Sequence, residues 1–191
     1  FRYAYEPFVF GGKRDKNDKT LQAVVMKYFI IFTLLAFLAV VMYMPILQYI
    51  IGADYREGLR VVPIVMMAEI FMGIYFNLSF WYKLIDETWW GAIFSGIGCA
   101  VLLAINFIFV PKYGYMACAW GGFAGYGTCM VLSYIVGQKK APIPYELKTA
   151  FIYFALAVAL FFVQKHIHID STVLTLVVNT ALLLVFCAFI C

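Results

Sequence analysis

The segment NFIFVPKYGYMACAW, residues 106–120, most restricts what this chain can fold into. An apolar stretch containing Asn106 runs out at Pro111, Lys112, Tyr113 and Gly114, and a second apolar stretch rich in small residues starts at once. Proline lacks a backbone N–H and fixes φ, so it ends or kinks a helix, while glycine accepts backbone conformations closed to other residues. With so few residues between them, the two stretches are predicted to form a helical hairpin turning on Pro111 to Gly114.

The solvent of that hairpin follows from composition. Of 191 residues, 65% are hydrophobic and only 13% charged, where a soluble domain carries about a quarter charged. Mean hydropathy is +0.92. Six apolar stretches account for nearly all of the chain: 28–51, 61–82, 89–110, 113–137, 149–164 and 171–191. Most are long enough to cross about 30 Å of hydrocarbon as helices. They are continuous rather than alternating every second residue, which excludes a β-barrel. The expected class is an all-α integral membrane protein with about six transmembrane helices and no sizeable aqueous domain. Residues 1–12 read as the end of a preceding transmembrane helix. Residues 13–27, which include most of GGKRDKNDKT, read as a loop, since such charge density enters lipid only at several kcal/mol. Pro45 should kink the first full span.

Charge then sets the topology. Lys13, Arg14, Lys16, Lys19, Lys27, Lys83, Lys139, Lys140 and Lys148 fall on one side of this parsing, against Arg56, Arg60, Lys112 and Lys165 on the other. The richer side is cytoplasmic by the positive-inside rule. Tyr28, Trp81, Tyr82, Trp89, Trp90 and Tyr113 at the span ends fit interfacial belts. The net charge of +4 thus reports topology and gives no reason to invoke nucleic acid.

Within the spans, Ala92, Gly96, Ala100 and Ala104 recur every four residues, as do Ala117, Gly121 and Gly125. Small residues at that spacing let helix backbones approach closely, so these rows are expected to be the seam between the hairpin partners. The alternative is that the glycines of GGFAGYG mark a segment that bends. Glu69 is the one carboxylate near the centre of a span, and should face the bundle or a wet cavity, either in ion coupling and substrate contact or as a tie to a neighbouring helix. Asn77, Asn106 and Asn179 are candidates for the same pathway, or interhelical hydrogen-bond formers. Arg2 and Glu6, four apart, form an internal pair, or Arg2 offers a cation to an anionic substrate. His166 and His168 have no third ligand in sequence, and the cysteines, Cys99, Cys118, Cys129, Cys187 and Cys191, lie in apolar runs without metal-ligand spacing. No nucleophile stands beside a base. The expectation is a protein that is not an enzyme and needs no metal or cofactor.

The order asparagine, apolar run, proline, turn glycine and small residues in NFIFVPKYGYMACAW resembles a recurring pattern of the oligosaccharide and polysaccharide flippases related to Wzx and MurJ, in the superfamily that includes the MATE antiporters. FRYAYEPFVF resembles the helix that opens into that family's central cytoplasmic loop, and YREGLRVVPIVMMAEIFMGIYFNLSFWYK resembles the helix pair that follows. Where the family often has glycine and two alanines, this chain has Ala117, Cys118 and Ala119. The resemblance covers residues 1–140. It implies a two-lobed transporter of which this chain is most of the C-terminal lobe, the N-terminal lobe being absent. It further implies a multi-pass protein of the bacterial inner membrane that flips an undecaprenyl-pyrophosphate-linked oligosaccharide by alternating access. The product would serve O-antigen, lipopolysaccharide or a similar polysaccharide, with membrane lipids around it and polysaccharide polymerase or ligase partners nearby. A cation-coupled drug antiporter of the MATE branch is the alternative; a membrane-embedded acyltransferase or polymerase would need polar catalytic residues at a membrane face.

The topology is testable by thiol labelling in a cysteine-free background. Cysteine at Asp15 or Pro142 should react with an impermeant reagent from the lysine-rich side only, and cysteine at Glu57 from the other. Reaction of all three from one side would break the span count.

Overall fold

A computed structural model describes residues 16–166 and 172–190. Arg2, Glu6, His168, Cys191 and the expected helix end at 1–12 lie outside those residues. The described residues form helices α1 (Lys16–Met42), α2 (Met44–Ile50), a 3₁₀ segment (Ala53–Val61), α3 (Val62–Leu78), α4 (Phe80–Leu84), α5 (Trp89–Tyr113), α6 (Tyr115–Lys140), α7 (Leu147–His166) and α8 (Thr172–Ile190). The protein is all-α. Four stretches are long and apolar enough to cross a membrane: Lys19–Met42, Tyr55–Leu84, Trp89–Tyr113 and Leu147–Gln164. Of the other two expected spans, Leu174–Ile190 is apolar but shorter, and α6 has the length but is diluted by glycine, hydroxyl and lysine residues.

The first two loops and spans differ from expectation in their bounds. Helix α1 is already formed at Lys16, well before Tyr28, so residues 16–27 of the expected 13–27 loop are helical. Apolarity marks where a helix enters lipid, but helix formers such as Leu21, Gln22, Ala23 and Met26 extend it beyond, and Gln22 and Met26 are buried there. The 61–82 span is interrupted at Ser79, whose N–H bonds the Tyr75 carbonyl at 2.9 Å and the Phe76 carbonyl at 3.2 Å, while its hydroxyl also bonds Phe76.

The chain divides into two compact units. The first comprises residues up to Tyr28 together with Ile64–Tyr145, and is built on the α5–α6 hairpin. Helix α5 runs through Pro111 to Tyr113, which corrects the expected turn on Pro111 to Gly114. A proline in a last helical turn deletes one intrahelical hydrogen bond and leaves the rest, so the helix tolerates it. Gly114 alone makes the reversal, at φ 55° and ψ −138°, a region open essentially to glycine. Its N–H bonds the Val110 carbonyl at 2.9 Å and its carbonyl accepts Ala117 N–H at 3.1 Å.

The hairpin seam follows the expected row on α6 but not the one on α5. Ala117, Gly121, Gly125, Cys129, Ser133 and Gly137 are all buried. On α5 the row Ala92, Gly96, Ala100 and Ala104 is exposed; nothing lies within 4 Å of a Cβ placed on Gly96. The α5 face that meets α6 is Phe94, Gly98, Leu102 and Asn106. A Cβ on Gly98 would stand 2.9 Å from the Gly125 carbonyl oxygen, and one on Gly125 would stand 2.9 Å from the Gly98 carbonyl oxygen. Neither glycine therefore has room for a side chain, and the two backbones meet directly, the close approach that small residues permit.

The second unit comprises Phe29–Pro63 and Glu146–Cys191. Pro45 does more than kink its span: α1 stops at Met42 and α2 starts at Met44. The Ile46 N–H turns to the Tyr43 carbonyl, 2.9 Å away, and so leaves the Met42 carbonyl without its helical donor. Buried Asn179 of α8 supplies one, its Nδ2 donating to Met42 O at 2.6 Å. Beside it the Tyr43 hydroxyl and Thr180 Oγ1 are 2.8 Å apart. Leu34, Leu38, Met42, Ala157 and Phe186 are fully buried in this unit.

Gly125→Leu should lower the thermal midpoint and the folded yield of the detergent-purified chain, by the equivalent of about 1–3 kcal/mol or more, while Gly96→Leu leaves both near the parent values. Equal effects at the two positions would contradict the seam.

Candidate functional site

The sequence-derived candidates do not converge. On α3 the buried residues are Met67, Ala68, Ile70, Ile74, Tyr75, Asn77 and Leu78, whereas Val65, Glu69 and Phe76 are exposed. Among the described residues Glu69 is therefore exposed, off the packed face of α3, which leaves the wet-cavity side of the expectation, and no hydrogen bond or ion pair holds it. Val65, Glu69 and Phe76, spaced four and seven residues apart, form one exposed stripe of the helix. Asn77 is buried on that face, but its Nδ2 donates to Gly73 O of its own helix at 3.1 Å, so it bridges no helices. Asn179 does, through Met42. Asn106 meets Gly121: a Cβ there would stand 2.6 Å from Asn106 Oδ1, an oxygen buried without a conventional hydrogen-bond partner. Of the motif residues Asn106, Pro111, Gly114, Gly121 and Gly125, the first and the last two thus form the seam, and Gly114 the turn.

What the fold does assemble, at the end of the first unit opposite the Gly114 turn, is a cluster of lysines, tryptophans and one carboxylate. The link between α4 and α5 turns at Asp86, which has φ 59°, and Glu87 N–H bonds the Tyr82 carbonyl at 2.9 Å. Glu87 is thereby set one turn before Trp90, whose Nε1 donates to Glu87 Oε2 at 2.7 Å. The same oxygen accepts Lys140 Nζ from the end of α6. The lysine nitrogen lies 5.0 Å from the Trp90 ring centroid and 6.0 Å from that of Trp89, within the range of cation–π attraction. The Lys140 hydrogen bond, and then the Trp90 one, hold the Glu87 carboxyl below its ordinary range.

The small residues of α6 make room for this end. Trp81 is buried against Gly137, where a Cβ would stand 2.8 Å from the indole, and its Nε1 donates to Ser133 Oγ at 3.3 Å. Tyr82 packs on Gly91 in the same way. Lys19 Nζ reaches the Pro142 carbonyl at 3.2 Å, and Lys83 lies 5.1 Å from the Phe80 ring centroid. Lys19, Lys83 and Lys140 therefore lie at one end of the first unit.

Sequence reasoning missed the Glu87–Lys140 pair. The partners are 53 residues apart, and the available signals were only the Trp89–Trp90 doublet and the lysines, which mark an interface without matching partners. Chemically the cluster is a fixed cationic and aromatic rim with no nucleophile. Comparison of the chain with protein-family models, with curated proteins and with solved structures finds no match in any of the three.

Because the folded carboxyl is stronger than the unfolded one, the Glu87 clasp is complete above the ordinary glutamate range and is lost as pH falls through the lowered value. Tryptophan emission should therefore stay constant from neutral pH through the ordinary glutamate range and shift only below it. Glu87→Gln should remove that shift. An identical acid transition in Glu87→Gln would assign it elsewhere.

Proposed function

We propose that this chain belongs to a membrane transporter that flips a lipid-linked oligosaccharide, of the undecaprenyl-pyrophosphate type, across the bacterial inner membrane for polysaccharide or O-antigen assembly. The observation that carries the reading is the hairpin of residues 89–140. The segment that resembles the flippase pattern folds as helix, single glycine turn and helix, closed by backbone-to-backbone contact of Gly98 and Gly125. Glu69 adds support. A carboxylate midway along an apolar helix is costly in lipid, and its outward position on α3 leaves it for a polar path or for protein beyond the described residues. The hairpin's resemblance to the glycolipid branch places the MATE-type antiporter second.

The test is complementation in the source organism with the full-length gene. Deletion should abolish surface glycan and leave its lipid-linked precursor on the cytoplasmic side. Glu69→Gln should restore the protein to the membrane at normal abundance without restoring glycan. Full glycan display in the deletion strain, with altered resistance to cationic drugs instead, would replace the flippase reading by the antiporter. Full display with Glu69→Gln would remove Glu69 from transport.

A further inference from the structure

We infer that the corner formed by Trp89, Lys139 and Lys140 is a binding site for an anionic phospholipid headgroup of the lysine-rich leaflet. Trp89 opens α5 and is 53% exposed, although it stacks on Trp90 with centroids 4.4 Å apart. An exposed indole at a span end seats at the headgroup level, its ring against acyl chain and its N–H toward polar groups. Above it stands Lys140, held over both indoles and by Glu87. One of its N–H groups serves Glu87, and the ammonium carries two more. Lys139 is next in sequence and exposed. The aliphatic stems of such lysines lie along the apolar surface while their heads reach the phosphate.

Charge selects the lipid. At the end of α6 two ammonium groups stand next to each other, Lys139 exposed and Lys140 beside the indoles, with Glu87 engaging one N–H of the second. A zwitterionic headgroup brings its own cation to compete with these lysines, whereas a phosphatidylglycerol-type headgroup brings only the phosphate. Juxtamembrane lysines draw anionic lipid by about 1 kcal/mol each. The fixed position of Lys140 gives this attraction a defined seat rather than a diffuse one. The site is independent of the transport reading.

The experiment uses the whole chain in phosphatidylcholine nanodiscs with Trp120→Phe, which removes the other exposed indole. Brominated phosphatidylglycerol or brominated phosphatidylcholine is then titrated in and tryptophan quenching followed. Brominated phosphatidylglycerol should reach half-maximal quenching at a several-fold lower mole fraction than brominated phosphatidylcholine. Lys139→Gln should cut that preference about fivefold, and Lys112→Gln, at the opposite end of α5, should leave it intact. Inorganic phosphate at tens of millimolar should not compete. Equal quenching by the two lipids, an unchanged preference in Lys139→Gln, or displacement by inorganic phosphate would each overturn the assignment.

Discussion

The first unit depends on a contact between two backbones with nothing between them. In water a helix hairpin is driven together by burying apolar side chains, but lipid is as apolar as leucine, and association must come from close packing and polar contacts. Gly98 and Gly125 supply the packing, since neither has room for a side chain against the other's backbone, and the approach they permit lets neighbouring side chains reach across. Cys129 Sγ lies 3.2 Å from the Phe94 carbonyl, and Asn106 lies against Gly121. Further along the same α6 row, Ser133 and Gly137 receive Trp81 of α4. One row of small residues thus fixes α5 at one end and α4 at the other, and the tryptophans and Lys140 take their places from it.

The second unit answers a different demand of the same solvent. Backbone groups in lipid must be paired within the protein, and Pro45 removes a donor in the middle of an apolar stretch. The break at Tyr43 then frees the Met42 carbonyl, and Asn179, 137 residues away, returns the missing hydrogen bond. A buried amide at that place in α8 has little other use. It costs desolvation if unpaired and is here paired with an acceptor that would itself be orphaned.

These devices were unequally legible in the sequence. Helical class, the hairpin and the α6 row could be read directly, because continuous apolar runs and a four-residue spacing of small residues have few other meanings in a membrane. The α5 row could not. Its packed face, Phe94, Gly98, Leu102 and Asn106, contains one small residue, whereas the exposed row Ala92, Gly96, Ala100 and Ala104 contains four. Small size permits close approach but does not require it, and what decides is which glycine faces Gly125. Pro111 misled for a related reason: its penalty falls on one hydrogen bond, and in a last turn the helix can continue past it to Gly114. Pro45 could be read as a disruption, but its partner Asn179 could not, since neither residue announces the other. The same holds for Glu87 and Lys140.

Polar groups inside the apolar stretches divide accordingly into those the fold uses and those it does not. Ser133, Asn77 and Asn179 are buried and each is committed to a hydrogen bond within the protein, so losing Ser133 or Asn179 leaves the Trp81 N–H or the Met42 carbonyl unpaired and weakens the fold. Glu69 is committed to nothing among the described residues. Removing it leaves no orphaned partner there, and the packed face of α3 is unchanged. A carboxylate retained midway along an apolar helix, at a cost in lipid and with no return in local stability, is therefore the position where a substitution separates function from folding. Along α3 this distinction is a matter of helical stripes: Ile70, Ile74 and Leu78 lie on the buried side, whereas Glu69 shares an exposed stripe with Val65 and Phe76, four and seven residues away.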